Sequence, residues 1–364
     1  MFRLKYGGTF MKKFLSVLLA VVICAASCAV FTSCGGYEGE INVYNWGDYV
    51  SDGSGDAIDT IAKFEEEYNI KVNYTTYETN EELYSILSSS NTQYDVIFPS
   101  DYMVEKLIKE NLLQKLDYKK IPNSKKILPK FKKMGYDPKF EYTVPYSWNV
   151  TGLVYNKTMV GSHKPDSWEY LWNDDFKGKI LQFNNSRDAY AIGMQMCGIV
   201  PETYTKEDID EATKMLKKQK PLLKKYVMDQ VFNEMENNQS AIAPYYAGDI
   251  FTMMLNNEDL VGVLPKEGSN LFVDNMCIPK NAENVEGAQK FIDFMTRPDI
   301  SAANSEYITY ASPVEGAKEL SYKELRESKL VYPPESYLEK CYTFRDVDAD
   351  VYSYMQEQFV KLMS

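Results

Sequence analysis

INVYNWGDYVSDGSGDAIDTIAKFEEEYNIKVNYTTYE, residues 41–78, is the stretch that decides the fold class. Apolar and polar residues alternate over 41–46 and again over 70–78, as they do in half-buried strands. Between the two, apolar residues recur three or four positions apart over 56–68, which is the spacing of one helix face. A strand, a helix and a second strand in this order predict a βαβ unit with parallel strands.

The alternation of strands and helices continues along the chain. A helix is predicted within 80–90, a buried strand at 94–101 and another helix over 102–113. The sequence after residue 150 repeats the pattern and predicts a second α/β lobe, with no proline- or glycine-rich linker before it. We therefore expect short crossing strands to act as a hinge and ligand loops to lie at the carboxyl ends of the strands.

The N-terminal residues have the pattern of a secretory signal. Two lysines precede an apolar run over 14–31, which ends in the small residues of FTSCGG. This ending resembles the lipobox of bacterial lipoproteins, so residues 1–33 are predicted to be removed and Cys34 to carry the lipid. Two alternatives remain, namely cleavage before Cys28, which would leave an apolar AVF in the mature chain, and retention of the run as a membrane anchor.

Composition and charge describe an acidic globular protein. The chain has 364 residues, of which 45% are hydrophobic and 25% charged, enough for two domains of ordinary size. Residues 1–33 hold four basic and no acidic residues, so their removal takes the net charge from −12 to −16. A surface this acidic repels nucleic acid and favours cationic partners, although solubility alone is a second explanation of the charge.

The residues needed for most kinds of catalysis are scarce. The one histidine, His163, lies in a loop-like stretch, and Cys197, Cys277 and Cys341 are too far apart for a disulfide framework or a metal site. The sequence has no P-loop, no G-x-S-x-G and no G-x-G-x-x-G. We therefore predict a protein without catalytic activity, metal or cofactor. Residue types alone leave open a glycoside hydrolase that uses two carboxylates, because acids are plentiful.

Aromatic residues and acids recur together at the predicted strand ends. This set consists of Trp46, Asp48, Tyr49, Ser100, Tyr102, Arg187, Asp188, Tyr246, Asp249, Phe272, Asp274 and Tyr310. Ring faces attract cations and cover methylene stems, so the pairing suits a ligand with ammonium groups at both ends. Cation-π contacts of about 0.5 to 2 kcal/mol and charge-assisted hydrogen bonds of about 1.5 to 3 kcal/mol together reach micromolar affinity. Each residue by itself is equally compatible with core packing or a solvated face.

Several long motifs resemble one family across residues 40–362. They are YNWGDYV (44–50), YDVIFPSDYMVEKL (94–107), VPYSWNVTGLVYN (144–156), SWEYLWNDDFKGKI (167–180) and LPKEGSNLFVDNMCIPKNAENVEGAQKFIDFMTRPD (264–299). The chain thereby resembles the spermidine/putrescine-binding proteins of bacterial ABC importers. The resemblance implies a two-lobed fold of the type II periplasmic-binding-protein class, in which each lobe is a mainly parallel sheet flanked by helices and the ligand lies between the lobes.

The resemblance also implies lobe boundaries, partners and a location. Lobe 1 would comprise 38–150 and 274–319, and lobe 2 would comprise 151–273 and 320–364. The expected partners are a polyamine, the membrane subunits of an ABC permease and, through the lipid on Cys34, the membrane, with no nucleic acid. The protein is expected to be an exported monomer in the periplasmic space or on the outer face of the cell membrane.

The family's ligand-binding positions carry over residue by residue. They correspond to Trp46, Asp48, Tyr49, Ser100, Tyr102, Asn185, Asp188, Tyr246, Asp249, Phe272, Asp274 and Tyr310. Asn185 stands where spermidine binders commonly have an aspartate and Phe344 where they often have an amide, whereas Asp48 and Asp249 resemble the putrescine-preferring branch. The resemblance thus leaves the length of the ligand open. A receptor for another cation or for ferric ion is a same-fold alternative, because Tyr245 and Tyr246 are similar to the paired tyrosines of iron binders.

The sequence also predicts how the backbone turns after the first strand. Gly47 is expected to let the backbone turn, so that Trp46, Asp48 and Tyr49 face the ligand. The alternative for Asp48 is to cap the segment that follows.

Overall fold

The computed structural model describes residues 37–89 and 93–364. The predicted signal peptide (1–33) and the predicted lipidation site at Cys34 lie outside the described residues. In the part of the chain that is described, no helix is both long enough and apolar enough to cross a membrane.

The strands are short except for one near the middle of the chain. In chain order they are β1 (Gly39–Trp46), β2 (Ile70–Tyr77), β3 (Val96–Ile97), β4 (Val144–Asn156), β5 (Ile180–Phe183), β6 (Leu223–Val227), β7 (Ile242–Tyr246), β8 (Leu260–Val263) and β9 (Leu271–Met276).

The α-helices are interspersed with the strands up to β9 and then follow one another to the C-terminus. In chain order they are α1 (Thr60–Tyr68), α2 (Asn80–Ser89), α3 (Asp101–Lys109), α4 (Ser186–Met196), α5 (Lys206–Gln219), α6 (Gln230–Glu236), α7 (Ala247–Asn256), α8 (Val285–Met295), α9 (Pro298–Ile308), α10 (Ala317–Leu320), α11 (Lys323–Glu327), α12 (Glu335–Leu338) and α13 (Ala349–Met363). Short 3-10 segments are Pro122–Lys126, Pro129–Lys133, Trp168–Trp172, Asp174–Phe176 and Lys220–Leu222.

The first sheet has the order β2-β1-β3 and contains the predicted βαβ unit. Strands β1 and β3 are parallel, with Val43 opposite Val96. Helix α1 begins at Thr60, four residues after the start of the predicted range, because Asp59 caps it by accepting a hydrogen bond from the Ala62 amide at 2.8 Å. The carboxyl ends of β1 and β3 therefore lie side by side, which brings the segments after Trp46 and Ile97 to one edge.

The second sheet is built around β4. Its order is β6-β5-β7-β4-β8, and β9 also pairs with β4. Strand β5 is parallel to β6 and β7, whereas β4 is antiparallel to β7, β8 and β9. The first half of β4 pairs with β9 and the second half with β7 and β8. One long strand thus connects the surroundings of β9 to the parallel strands of the sheet.

The first part of β4 belongs to one hydrophobic core and its second part to another. The first contains Ile41, Phe98 and Phe291 and includes Trp148 of β4. The second contains Trp168, Tyr190 and Ile242 and begins at Val150 of β4. Strand β4 therefore passes from one core to the other within two residues.

Candidate ligand-binding site

Asp274 on β9 is the first of three acids around which the site is built. Its side chain is buried, at 4% exposure. Ser100 Oγ donates to one carboxylate oxygen at 2.6 Å, and the Tyr49 hydroxyl, 2.9 Å from Ser147 Oγ, donates to the other oxygen. Burial raises the pKa of Asp274 to about 6, while these hydrogen bonds lower it in part. The carboxylate is thus held in place by neutral donors.

The segment that follows β3 brings Ser100 close to Asp274. Ser100 is the residue before α3, but its side chain does not cap that helix. It instead forms an isolated antiparallel bridge with Asp274, next to a hydrogen bond from the Asn275 amide to the Pro99 carbonyl at 2.9 Å. The strand was predicted to run to residue 101 but ends at Ile97, and the bridge to a residue 174 positions away determines which partner Ser100 meets.

Asp249, in the first turn of α7, is the second acid. The Tyr310 hydroxyl donates to its Oδ2 at 2.7 Å. Burial raises the pKa of Asp249 to about 7, and this hydrogen bond opposes the rise. A Cβ atom at Gly248 would lie 2.3 Å from Tyr310 Cδ1 and 2.6 Å from the Thr309 carbonyl oxygen. Glycine at this position is therefore required for Tyr310 to reach the acid.

Asp188, in the first turn of α4, is the third acid. Asn185 caps this helix, and its Oδ1 accepts hydrogen bonds from the amides of Arg187 at 2.9 Å and Asp188 at 3.4 Å. The Tyr246 hydroxyl donates to Asp188 Oδ2 at 3.1 Å. Burial raises the pKa of Asp188 to about 6, and the tyrosine and the neighbouring arginine lower it in part. The side-chain oxygen of Asn185 is thus already used by the backbone.

Aromatic rings connect the three acids in a continuous series. The centroid of Tyr49 lies 6.0 Å from that of Tyr310, which lies 5.6 Å from Phe272. Phe272 in turn lies 5.3 Å from Tyr246, the residue bonded to Asp188. We refer to this set as the acid-ring series, and its members are Asp274, Tyr49, Tyr310, Asp249, Phe272, Tyr246 and Asp188. It draws side chains from the surroundings of both cores.

The three acids of the acid-ring series form no ion pair within the described part of the chain. Among the described residues, none of the lysine or arginine ion pairs involves Asp188, Asp249 or Asp274. Buried carboxylates without a cation are costly to ionise, which is the reason for their raised pKa values. A cationic guest placed among them would recover that cost and satisfy oxygens that now have only neutral donors.

The structure puts Trp46 and Asp48 in different surroundings. The Trp46 indole nitrogen donates to the Phe98 carbonyl at 3.0 Å, and its ring lies 4.6 Å from Tyr77. Asp48 is exposed and adopts a left-handed conformation with a φ of 50°. The expectation that Gly47 makes the turn is wrong in its detail, because the positive φ falls on Asp48, a residue type that tolerates it. Asp48 does not cap helix α1 either.

Tyr102 belongs to a neighbouring cluster centred on Arg187. The side-chain nitrogen of Asn80, Nδ2, donates to Ser100 Oγ and to the Tyr102 hydroxyl, both at 3.1 Å. The Arg187 guanidinium is buried 3.7 Å above the Tyr102 ring, and it also faces Tyr352 at 4.9 Å. Phe344, one of the departures from the family pattern, lies 5.7 Å from the same guanidinium. Tyr102 is therefore linked to the site through Asn80 and is itself covered by a cation of the protein.

Sequence reasoning missed Ser147, Asn80 and Tyr352. Ser147 lies inside a strand and Asn80 at the first residue of a helix, so neither stands at a predicted strand end. Tyr352 lies more than 160 residues from Arg187, so no local pattern in the sequence links the two. A serine within a strand of aromatic residues is the one local signal that would have pointed to Ser147.

Adjacent Tyr245 and Tyr246 do not turn their hydroxyl groups to a common point. Tyr245 donates to Asp229 at 2.8 Å, whereas Tyr246 donates to Asp188. Over residues 37–89 and 93–364, no three histidine, cysteine, aspartate or glutamate side chains are grouped so that they could hold a metal ion.

Comparison with known proteins identifies relatives along most of the chain. Residues 59–327 match a family described as bacterial extracellular solute-binding protein. The spermidine/putrescine-binding periplasmic protein of Salmonella typhimurium is 31% identical over 320 residues, which cover 88% of this chain and 90% of that protein.

Two solved structures show the same fold. The spermidine/putrescine ABC transporter substrate-binding protein PotD from Streptococcus pneumoniae superimposes with a TM-score of 0.80 at 33% identity, covering 89% of this chain and 98% of the other. The TpPotD lipoprotein of Treponema pallidum gives a TM-score of 0.79 at 26% identity, with coverage of 89% and 99%. The predicted two-lobed α/β fold of the periplasmic-binding-protein class is confirmed.

Proposed function

Because the chain belongs to the family of bacterial extracellular solute-binding proteins, we propose that it captures a polyamine, putrescine or spermidine, and delivers it to an ABC importer. Its similarity to a spermidine/putrescine-binding protein from Salmonella typhimurium supports this ligand class. The observation that carries the proposal is the acid-ring series, in which three carboxylates are joined by aromatic rings and are not ion-paired with any described lysine or arginine.

Each part of a polyamine has a matching part of the site. One ammonium group pairs with Asp274, which Ser100 and Tyr49 hold in place. The methylene chain lies against the rings of Tyr310 and Phe272, and a second ammonium pairs at the Asp188 and Asp249 end. Charge-assisted hydrogen bonds of about 1.5 to 3 kcal/mol and cation-π contacts of about 0.5 to 2 kcal/mol are sufficient for micromolar binding.

The remaining predicted contacts are secondary in this proposal. Trp46 and Tyr102 would border the ligand, and Asn185 would act through its cap on helix α4 rather than through its engaged oxygen. Asp48 is exposed in the turn after β1 and would meet the ligand only at its entrance.

We also propose the lobe boundaries given by the sequence, with lobe 1 at 38–150 plus 274–319 and lobe 2 at 151–273 plus 320–364. The two hydrophobic cores support this division, because β4 leaves the first core at Trp148 and enters the second at Val150. Strands β4 and β9 would then be the crossing strands of the hinge, and the acid-ring series would lie between the lobes.

The protein would work outside the cytoplasm as a carrier without catalytic activity. Removal of residues 1–33 and lipidation of Cys34 would tether a monomer to the membrane, near the permease subunits that accept its ligand. The lipoprotein from Treponema pallidum is a precedent for such a tether in a protein of this fold.

Titration calorimetry of the purified protein with putrescine, spermidine and spermine tests the proposal. We expect one site with a dissociation constant near micromolar or lower for at least one of these amines. Ferric ion serves as the comparison, and we expect no tyrosinate-iron absorbance when it is added. A protein that binds all three amines as weakly as sodium would refute the assignment.

A further inference from the structure

Arg187 is the cation among the residues at the predicted strand ends, so it cannot be a partner for a cationic ligand. It stands directly before Asp188 in the first turn of α4, and its side chain is buried, at 9% exposure. A buried charge is costly unless other groups compensate it. The groups that compensate Arg187 must therefore come from the protein itself.

These groups come from elements of both cores. The guanidinium lies 3.7 Å from the centroid of the Tyr102 ring, and its Nη2 lies 3.9 Å from Glu81 Oε1. Glu81 belongs to α2 and Tyr102 to α3, two helices that contribute to the first core. Arg187 on α4 and Tyr352 on α13, whose ring centroid is 4.9 Å from the guanidinium, belong to helices of the second core.

Glu81 Oε1 is the point where the two sides meet. It accepts a hydrogen bond from the Tyr352 hydroxyl at 3.0 Å and one from the Tyr102 hydroxyl at 3.3 Å. Gln356, one turn further along α13, donates to the Tyr352 hydroxyl at 2.6 Å and so fixes the direction of its proton toward Glu81. We refer to Arg187, Glu81, Tyr102 and Tyr352 as the arginine clasp.

The arginine clasp exists only while the two cores are together. Arg187 Nη1 is buried and has no hydrogen-bond partner, so ring faces and Glu81 are what compensate the guanidinium. Cation-π contacts are strongest when they are desolvated, and separation of the cores would remove Tyr102 and Glu81 from Arg187. Contacts that one conformation makes and the other lacks shift the equilibrium toward the first.

We propose that the arginine clasp retains the ligand by holding the protein closed, with Glu81 and Tyr352 as positioning residues that act through Arg187. This role rests on the proposed polyamine function and adds to it a device for slow release. Because Arg187 directly precedes Asp188, the clasp also fixes the start of α4, and with it that acid, relative to the first core. Release requires opening, so the clasp lowers the release rate and leaves association, which begins from the open form, nearly unchanged.

Tyr352→Phe is the most direct test, since it removes the hydroxyl that crosses to Glu81 and changes no charge. Bound radiolabelled putrescine, chased with unlabelled putrescine, is expected to leave this variant about tenfold faster than the wild-type protein, as for the loss of a hydrogen bond to a charged group. The association rate is expected to stay within twofold of the wild-type value. Tyr354→Phe is the matched control on the same helix, because the Tyr354 hydroxyl donates to Asp210 on α5, within the second core, at 2.7 Å. It should leave the release rate unchanged.

Glu81→Gln tests whether the clasp acts as a unit. It leaves the buried guanidinium without its carboxylate, so release should again be faster. The double variant Glu81→Gln/Tyr352→Phe should release putrescine no faster than the faster single variant, because both changes remove the same bond. Effects that multiply would show that the two side chains act independently and would contradict the clasp.

The outcomes separate the clasp from the proposed function. If the wild-type protein binds no polyamine, the proposed function fails and retention by the clasp fails with it. If the wild-type protein binds putrescine and Tyr352→Phe releases it at the wild-type rate, the clasp alone is wrong. Slower association, or a lower melting temperature of the ligand-free protein, with unchanged release would assign these side chains to ligand encounter or to the fold and would likewise overturn the clasp.

Discussion

Asp274 is the residue whose loss should reveal most about the site. Replacing it in Asp274→Asn leaves the shape of the side chain and removes the charge that Ser100 and Tyr49 position. We expect putrescine binding to weaken by about 2 kcal/mol or more, because the ammonium then lacks its ionic partner. Calorimetry at pH 7.5 measures this. Asp175→Asn is the control, since Asp175 is exposed and bonded only to His163 among the described contacts of its side chain, and its replacement should leave binding unchanged.

The same acids should make binding depend on pH. Burial raises the pKa of Asp188 and Asp274 to about 6 and that of Asp249 to about 7 in the folded protein without ligand. The folded protein holds these protons more tightly than the unfolded chain does. The protonated acids therefore add to the free energy of unfolding below about pH 4, and this contribution is lost as pH rises to about 7. A polyamine requires the ionised acids, so its affinity should rise over the same interval.

Proton release measures this linkage directly. Titrations of putrescine at pH 6, in buffers with different ionisation enthalpies, should show that binding releases protons from the protein. Asp274→Asn should release fewer protons than the wild-type protein. Proton uptake, or an affinity that falls between pH 5.5 and 7.5, would contradict the assignment of these acids to the cation.

The sequence predicted that acids and rings would face one crevice, and the structure brings those of the acid-ring series together. They were selected by residue type and by predicted strand ends, which can be read locally, although Asp274 lies inside β9. The left-handed turn at Asp48 could not be predicted from WGDY, since glycine is the residue that usually takes this conformation. The partners of Ser100 and Tyr102 depend on chain segments far away in sequence, so only the structure reveals them.

At the level of elements, the start of helix α7 determines whether Tyr310 can reach Asp249. Gly248→Ala places a Cβ atom 2.3 Å from the Tyr310 ring, so the ring or the helix must move. We expect the free energy of unfolding to fall by about 1 to 3 kcal/mol, as for other overpacked sites, and putrescine affinity to fall at least tenfold. Chemical denaturation and calorimetry measure the two effects.

Gly47→Ala is the matched glycine control. A Cβ atom at Gly47 would meet no atom within 4 Å, and its backbone is not in the left-handed region. We therefore expect stability and affinity close to those of the wild-type protein. A large loss in Gly47→Ala would restore the interpretation in which this glycine makes the turn after β1.

The sequence predicted the order of the elements but not how the longest strand, β4, pairs with its neighbours. Strand β4 occupies Val144–Asn156, the whole of one motif that carries the family resemblance. Its antiparallel pairing with β7, β8 and β9 follows from contacts among residues up to 132 positions apart, and periodicity within one segment carries no information about those contacts.

For the whole molecule, burial of the site implies that the protein must open to admit ligand. Asp188 and Asp274 are only 6% and 4% exposed. Ion pairs hold α3 to the segment before α13, with Arg345 donating to Glu105 at 2.8 and 2.9 Å and Lys109 to Asp346 at 2.9 Å. These contacts connect an element of the first core with one of the second, so they must break when the cores separate.

Small-angle X-ray scattering should detect this opening. We expect the radius of gyration of the wild-type protein to fall when putrescine saturates it, because ligand contacts from both cores favour the closed form. Asp274→Asn at the same putrescine concentration should show a smaller change. An identical radius with and without ligand, at a concentration where calorimetry shows saturation, would argue against closure of the two lobes.

Acids and rings from both cores are expected to bind a guest with two positive charges. Calorimetric titration of the wild-type protein with putrescine, 1-butylamine and butane-1,4-diol tests it most directly, since the three have similar chains and carry two, one and no charges at neutral pH. We expect micromolar or tighter binding of putrescine, binding of butylamine at least a hundredfold weaker, and no detectable binding of the diol. Equal affinity for the diol and putrescine would contradict it.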